Sequence, residues 1–209
     1  MKKLMLIYLL MLLFSCSKKN KEVKIEQTKI DFYLEKVVVV NLHEVCLTYF
    51  KVKTTNRSNQ QIVLQDNSLK DLLINPSKIK KEGFYIKSLT DNSKIIPLAI
   101  DKYYFYEIGS KANGYCFITA LDLKYSYKAK DSLLLKKSLA NYQLEYNGKN
   151  FDLSKIKKSK YINNNHYERF IKNRNKYVAY KDSMSIRIPK NIEIKYMNEM
   201  PRIDEWDKL

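Results

Sequence analysis

The sequence predicts a mainly β protein, an antiparallel β-sandwich with a short α/β extension at its C-terminal side. Between positions 29 and 154, short segments of β-branched and aromatic residues alternate with polar turn clusters, a pattern that is typical of sandwiches. No long helical periodicity separates these segments, as it would in a protein with a parallel sheet. An apolar fraction of 45% in a chain of 209 residues is sufficient for one hydrophobic core.

The first half of this domain contains three expected strands. Residues 30–40 include four consecutive valines and have strong β propensity, and residues 45–52 alternate between two faces. A polar cluster at 54–59 predicts the turn before a short strand at 61–64. Residues 66–76 are expected to form a single capped helical turn that ends at a proline.

Three hairpins are expected in the second half of the domain. Each consists of two strand-like segments around a turn of polar or glycine residues. The expected pairs are 84–89 with 94–98, 103–108 with 115–124, and 142–146 with 151–153. The last pair flanks Asn147-Gly148, the strongest hairpin signal in the chain. Residues 131–140 are expected to form a short helix.

The composition changes after residue 154. A basic run at 155–160 is followed by a polar cluster in which Asn165 is a candidate helix cap. Residues 184–196 return to strand-like alternation. We expect residues 155–209 to be an extension that packs on the sandwich domain, residues 29–154, rather than an independent domain.

Two cysteines, Cys46 and Cys116, lie in strand-like segments, each on the face that carries apolar neighbours. Their placement resembles the inter-sheet cysteine pair of immunoglobulin-like sandwiches. The resemblance implies a disulfide that joins two sheets; in the alternative, both cysteines are small buried apolar residues. Two features depart from the immunoglobulin pattern. Gly114 stands where its corner tyrosine would be, and the single tryptophan, Trp206, is far from the first cysteine.

The N-terminal residues have the organisation of an export signal. Two lysines precede an uninterrupted apolar run at 4–14, which is too short to span a membrane. The ending Leu13-Phe14-Ser15-Cys16 resembles the lipobox of bacterial lipoproteins. The resemblance implies that residues 1–15 are removed and that Cys16 carries fatty acyl chains, which anchor the protein stably in a membrane. Residues 16–28 are then a polar tether.

The residue after the cysteine indicates the membrane. An aspartate there would favour the inner membrane in the better-known Gram-negative sorting rule, whereas this chain has Ser17. We therefore expect the outer membrane, with the domain on its periplasmic or surface face.

The net charge of +17 does not predict a nucleic-acid partner. Nucleic-acid surfaces favour arginine, because its planar fork contacts phosphates and guanine bidentately. Only five of the 39 basic residues here are arginine, and the lysines are spread over the whole chain. A basic surface still favours anionic partners, such as anionic lipid, an anionic glycan or an acidic protein.

The sequence contains no catalytic, metal-binding or cofactor motif. The two histidines, His43 and His166, have no ligand neighbours at useful spacing, and four glycines are too few for a phosphate loop. We therefore expect neither an enzyme nor a bound metal or cofactor. A hydrolase in which two carboxylates meet in space is the least favoured alternative. Its candidate carboxylates are Glu44, Asp122, Glu145 and Asp152.

The chain contains 17 tyrosines, and the segment Tyr103, Tyr104, Phe105 and Tyr106 places aromatic rings on both faces of one expected strand. One face is expected to enter the core. The other is the predicted recognition surface, because tyrosine is enriched at interfaces and at sugar-stacking platforms. The basic run at 155–160 is the alternative recognition surface.

These features together predict a lipid-anchored cell-envelope protein that binds a protein partner, as an accessory subunit, an inhibitor or an immunity protein. The alternative is a glycan-binding module of a polysaccharide system, which would need an exposed aromatic platform on one sheet face.

Substitution of the anchor residue tests the predicted lipidation. Cys16→Ala removes the thiol that would be acylated, so metabolic labelling with a fatty-acid probe should mark the unaltered chain and not the variant. Equal labelling of the two proteins would show that the lipobox resemblance is accidental.

Overall fold

The computed structural model describes residues 30–42, 45–65, 82–91, 95–100, 105–120, 132–156, 164–202 and 205–208. Within these ranges the protein is mainly β, with twelve strands in three sheets and two short helices. The helices are α1, Ser132–Leu139, and α2, Asn164–Lys172. The predicted fold class is therefore confirmed at the level of a mainly β protein.

Sheet 1 contains the two longest described strands. Its members are β1 (Ile30–Leu42), β2 (Val45–Asn56), β6 (Ala99–Ile100), β8 (Asn113–Ala120) and β12 (Glu193–Met197). Their order across the sheet is β12-β1-β2-β8-β6. Strand β12 runs parallel to β1, and the other neighbours are antiparallel.

Seven strands form two smaller sheets. Sheet 2 contains β3 (Gln61–Gln65), β7 (Phe105–Ile108) and β10 (Tyr177–Ala179), in the order β10-β3-β7, and β10 is parallel to β3. Sheet 3 contains β4 (Gly83–Ser88), β5 (Ile95–Pro97), β9 (Tyr142–Asn147) and β11 (Ser183–Arg187). Its order is β11-β9-β4-β5, and all its pairs are antiparallel.

The first three predicted strands, the hairpin of β4 and β5, and both helices are confirmed. The helical turn expected at 66–76 lies outside the described residues. The hairpin expected around residues 109–114 is wrong, because β7 pairs with β3 in sheet 2 and β8 pairs with β2 in sheet 1. The buried Asn56 side chain holds this crossing between sheets, since its Nδ2 donates to the carbonyls of Gly109 (2.8 Å) and Gln60 (2.7 Å).

The hairpin expected at Asn147-Gly148 is also wrong. Strand β9 pairs with β4 and β11, and the chain after Gly148 forms a 3-10 turn at Leu153–Lys155. Gly148 is required for a different reason, since an added Cβ would lie 2.0 Å from the carbonyl oxygen of Tyr180. The glycine therefore permits a close backbone approach and does not reverse the strand.

The described part of the C-terminal segment takes part in the sheets themselves. It contributes one edge strand to each of them: β10 to sheet 2, β11 to sheet 3 and β12 to sheet 1. Two of these strands pair in parallel, whereas the sequence predicted antiparallel pairing throughout. Strands β11 and β12 carry the alternation seen at 184–196, and their inward residues Met184, Ile186 and Ile194 pack against the main core.

The main hydrophobic core contains residues of all three sheets, and the fully buried Tyr146 of β9 lies within it. Its ring stacks on Phe32 of β1 at 6.4 Å between centroids and contacts the rings of Phe84 (4.9 Å) and Tyr180 (5.6 Å). Its hydroxyl accepts from the backbone N–H of Gln65 (2.9 Å) and donates to the carbonyl of Tyr180 (3.1 Å). Burial raises the pKa of Tyr180 to about 12.

Removal of the Tyr146 hydroxyl tests this arrangement. Tyr146→Phe should lower the free energy of unfolding by about 1–3 kcal/mol, because it leaves a buried N–H and a buried C=O without their partner. Urea unfolding measures the change. Tyr33→Phe is the matched control, since Tyr33 is exposed and loss of its hydroxyl should cost less than about 0.5 kcal/mol. Equal effects would contradict the assigned role.

Candidate functional site

The predicted recognition segment is only partly described. Cys16, Tyr103 and Tyr104 lie outside the described residues, and Phe105 is described only as the first residue of β7. The ring of Tyr106 packs against the main core, and its hydroxyl donates to the carbonyl of Tyr115 in sheet 1 (2.8 Å). Tyr106 therefore belongs to the inward face of its strand.

The two cysteines do not meet. They lie on neighbouring strands of one sheet, Cys46 in β2 and Cys116 in β8, and Cys116 pairs with Val52. Six residues of strand separate Cys46 from Val52, a distance of about 20 Å, whereas a disulfide needs Cα atoms within about 7 Å. The expected inter-sheet bridge is therefore wrong for this fold. Cys116 is a buried core residue between Val52 and Ile118.

The candidate carboxylates of a hydrolase are not brought together in the described part of the chain. Glu145 lies beside Tyr85, and burial followed by the hydrogen bond to Glu145 raises the pKa of that phenol well above its usual value. Asp152 is exposed and accepts a hydrogen bond from the backbone N–H of Ser154 (2.8 Å). Glu44 and Asp122 lie outside the described residues. Among the described residues, no group of three His, Cys, Asp or Glu side chains could hold a metal ion.

A polar cluster of Arg169, Tyr177 and Glu107 joins α2 to sheet 2. The hydroxyl of Tyr177 donates to Glu107 Oε2 (3.3 Å), and Arg169 Nη2 lies 3.8 Å from the same oxygen. Burial, and then the Glu107 carboxylate, raise the pKa of Tyr177. These contacts fix the helix against the sheet, so we assign them a structural role.

Sheet 1 has two different faces. Alternate residues of β1, β2 and β8 enter the main core; they include Val37, Val39, Phe50, Val52, Cys116 and Ile118. The intervening residues lie on the opposite face, which we call the outer face. One cross-strand row of the outer face consists of Tyr33, Lys53 and Tyr115, because Lys53 pairs with Tyr33 on one side and with Tyr115 on the other.

This row presents an aromatic ring to solvent. Tyr33 is 64% exposed, the largest value among the exposed large hydrophobic residues of the described chain. Lys53 and Tyr115 are half-buried. Strands in a sheet lie about 4.8 Å apart, so the Cα atoms of Tyr33 and Tyr115 are separated by about 10 Å. Aromatic and cationic groups thus alternate across the sheet.

An ion pair with a buried ammonium lies beside this row, because Lys51 belongs to the next cross-strand row of the outer face, between Lys36 and Phe117. A β-bulge places Glu35 as an extra residue of β1 between Leu34 and Lys36, and bulges commonly redirect a side chain near a site. Glu35 Oε2 is 3.0 Å from Lys51 Nζ, whose side chain is 5% exposed, against 34% for Glu35. The ammonium also lies 4.2 Å from the centre of the Tyr115 ring, a cation–π geometry.

Another part of the outer face, around Val38, Val40 and Tyr49, is apolar and covered. Residues 198–208, which we call the C-terminal strap, place Trp206 against it; residues 203 and 204 of the strap lie outside the described residues. The indole lies 4.8 Å from the ring of Tyr49 and 4.6 Å from that of Phe117. The hydroxyl of Tyr49 also donates to the sulfur of Met200 (3.7 Å). We name Tyr33, Lys51, Lys53, Tyr115 and Phe117, which are neighbours on the outer face, the aromatic–lysine patch. Tyr33 is its exposed member, Lys51 is buried, and Phe117 contacts the indole of Trp206.

The sequence analysis did not predict this patch, because it placed the recognition surface at the densest run of aromatic residues, 103–106. The patch residues come from three strands, and each strand contributes only one or two of them. The alternation along β1 could have indicated it. Residues 31, 33 and 35 alternate with apolar residues in a correctly predicted strand, which places them on the face opposite the core.

Comparisons with known proteins add no functional assignment. No protein-family model matches the chain, and no curated protein matches it. The crystal structure of the yjhA protein from Bacillus subtilis matches at 12% sequence identity with a TM-score of 0.36, over 78% of this chain and 94% of that chain. Among the described residues, no helix has both the length and the apolar character needed to span a membrane.

The Glu35–Lys51 pair gives an asymmetric prediction. Glu35→Gln should destabilise the protein by about 1–3 kcal/mol, because it leaves a desolvated ammonium without its counter-ion. Lys51→Met should cost less, because the remaining Glu35 carboxylate is partly hydrated and methionine fills the apolar volume. Chemical denaturation measures both free energies of unfolding.

A surface pair on the same sheet is the matched control. Lys36 and Glu193 are 3.3 Å apart, but Glu193 is largely exposed. Glu193→Gln should therefore change the stability by less than about 1 kcal/mol. A larger loss for Lys51→Met than for Glu35→Gln would contradict the prediction.

Proposed function

We propose that this chain is a lipid-anchored protein of the bacterial cell envelope that binds a protein partner and catalyses no reaction. The export pattern that ends at Cys16 supports the anchor. Ser17 supports the outer membrane, with the domain on the periplasmic or surface side. Accessory subunits, inhibitors and immunity proteins of this compartment all act by binding.

The proposed scaffold is a β-sandwich in which sheet 1 is one layer and sheets 2 and 3 form the other. The main core supports this arrangement, because it includes Phe50 of sheet 1, Ile62 of sheet 2 and Leu144 of sheet 3. An immunoglobulin-like arrangement is the first one to compare, although the two parallel edge pairs depart from wholly antiparallel pairing. In either form, the outer face of sheet 1 is available for binding.

The exposed ring of Tyr33 is the observation that carries the proposed binding function. Tyrosine on a regular strand offers a large contact area at a low cost in conformational entropy, and interfaces are enriched in it. The buried Lys51 beside the row, paired with Glu35, supports the same interpretation. A buried ion pair often stabilises a fold less than apolar residues of similar volume, so its presence on this face is consistent with a binding role.

The charge of the patch favours an acidic partner. Lys53 has no ion-pair partner among the described residues, and it lies between two aromatic rings. A carboxylate of the partner would meet this ammonium at the centre of the contact. The strongly basic chain would also speed the encounter with an acidic surface, and the association rate should fall as salt rises.

A glycan is the second candidate partner, and the spacing of the row favours it. About 10 Å between the Cα atoms of Tyr33 and Tyr115 matches roughly two sugar units, and aromatic faces stack on sugar rings. The lysine between them would bind a carboxylated sugar of an anionic glycan.

Site-specific photo-crosslinking tests the proposed function. A photoreactive phenylalanine analogue at Tyr33, in the full chain produced in its own bacterium, should form a discrete crosslink that mass spectrometry identifies as one protein. The same analogue at Leu89 is the matched control, because Leu89 is also an exposed apolar residue, at 41%, but follows a strand of sheet 3.

Alanine variants separate binding from folding. Tyr33→Ala should weaken the captured complex at least tenfold, as expected for an interface anchor, and should leave the thermal midpoint nearly unchanged, because an exposed ring contributes little to stability. Crosslinking to a polysaccharide would support the glycan candidate instead. Equal crosslinking from Leu89 and Tyr33, or none from Tyr33, would contradict binding through the patch.

A further inference from the structure

The C-terminal strap holds an aromatic side chain in a site built by two strands. Trp206 meets Tyr49 and Phe117 in edge-to-face geometry, with interplanar angles of 63° and 65°. Aromatic pairs in this geometry are stabilised beyond their buried area. Tyr49 is itself buried, and it forms a small second core with Val38 and Val40. The ring site is therefore preformed by sheet 1.

The strap is attached to this site by side chains. Its described backbone hydrogen bonds are internal, from Glu205 N to Arg202 O (2.9 Å) and from Lys208 N to Glu205 O (3.0 Å). The carboxylate of Glu205 accepts from the backbone N–H of Arg202 (2.9 Å), which holds the pKa of Glu205 below its usual value. The turn that carries Trp206 is thus stabilised by its own contacts and not by a strand ladder.

Segments that lie outside the strand ladders open at lower free energy than strands in the core. Trp206 is only half-buried, and Met200, its neighbour in the strap, is 38% exposed. Opening the strap would uncover Tyr49 and the rest of the Phe117 ring. Because Phe117 also belongs to the aromatic–lysine patch, the uncovered surface would be continuous with that patch.

We propose that the ring site between Tyr49 and Phe117 is a docking site for an aromatic side chain of the partner protein, and that Trp206 occupies this site within the chain until the partner displaces it. The inference rests on the proposed binding function and names the kind of segment that binds. The segment presents an aromatic ring that contacts Tyr49 and Phe117 as Trp206 does. The partner would first bind Tyr33 and Lys53 on the outer face and would then displace Trp206.

A peptide with the sequence of residues 198–209 is the probe. In the full chain carrying Trp206→Ala, the peptide supplies the only indole, since Trp206 is the single tryptophan of the protein. Binding should shift the peptide emission to shorter wavelengths and reduce its quenching by acrylamide. With a dye-labelled peptide, anisotropy should give at least tenfold tighter binding to this variant than to the unaltered chain, whose own strap competes.

Two further substitutions in the Trp206→Ala chain locate the site. Phe117→Ala should weaken peptide binding at least tenfold, whereas Leu89→Ala, just after a strand of sheet 3, should leave it unchanged. The inference is overturned by a folded Trp206→Ala chain that does not bind the peptide, or by equal binding to the unaltered chain. Unfolding of Trp206→Ala, seen by circular dichroism, would also overturn it, because Trp206 would then be an indispensable core residue. Crosslinking at Tyr33 tests the binding function independently of all these outcomes.

Discussion

The buried side chain of Tyr146 contacts all three sheets. Tyr146 belongs to sheet 3, and its hydroxyl accepts from the last residue of β3 in sheet 2 and donates to the carbonyl of Tyr180, which follows β10. Its ring stacks on Phe32 of sheet 1. Hydrogen bonds in such a water-excluded place are strong, and their loss is costly. Gly148 lies beside this contact because only a residue without Cβ lets the backbone of Tyr180 approach so closely.

The position of Tyr180 then directs the C-terminal part of the chain to the edges of the sheets. Tyr180 follows β10 at the edge of sheet 2, and β11 and β12 continue along the edges of sheets 3 and 1. Unpaired edges invite association with other chains. One continuous segment covers an edge of each sheet, so the earlier strands and the C-terminal strands depend on each other for a finished fold. The strap that follows β12 is the part of this segment that adds no strand.

The outer face of sheet 1 combines two kinds of surface on the same strands. Its covered part, around Val38 and Tyr49, behaves as a small core, and its uncovered part presents Tyr33 and Lys53. The buried Lys51 lies where the two parts meet, neutralised by the bulged Glu35. An apolar residue at this position would cost less free energy to bury. The Lys51 ammonium lies 4.2 Å from the centre of the Tyr115 ring, so under the proposed function the charged pair would hold this ring in place on the binding face.

The sequence by itself determined the mainly β class, the strands β1 to β5, the two helices and the inward position of Cys116, because alternation and β propensity are local properties that neighbouring residues reveal. Of the strand pairings, it determined the β4–β5 hairpin but not the partners of β7, β8 and β9. The hairpins expected around 109–114 and at Asn147-Gly148 failed because contacts from distant residues, Asn56 and Tyr180, set the path of the chain there. The cysteine bridge failed because parity gives the face of a strand but not its sheet or register. The aromatic–lysine patch and the site of Trp206 arise only when three strands and the C-terminal strap come together, so only the tertiary structure could place them.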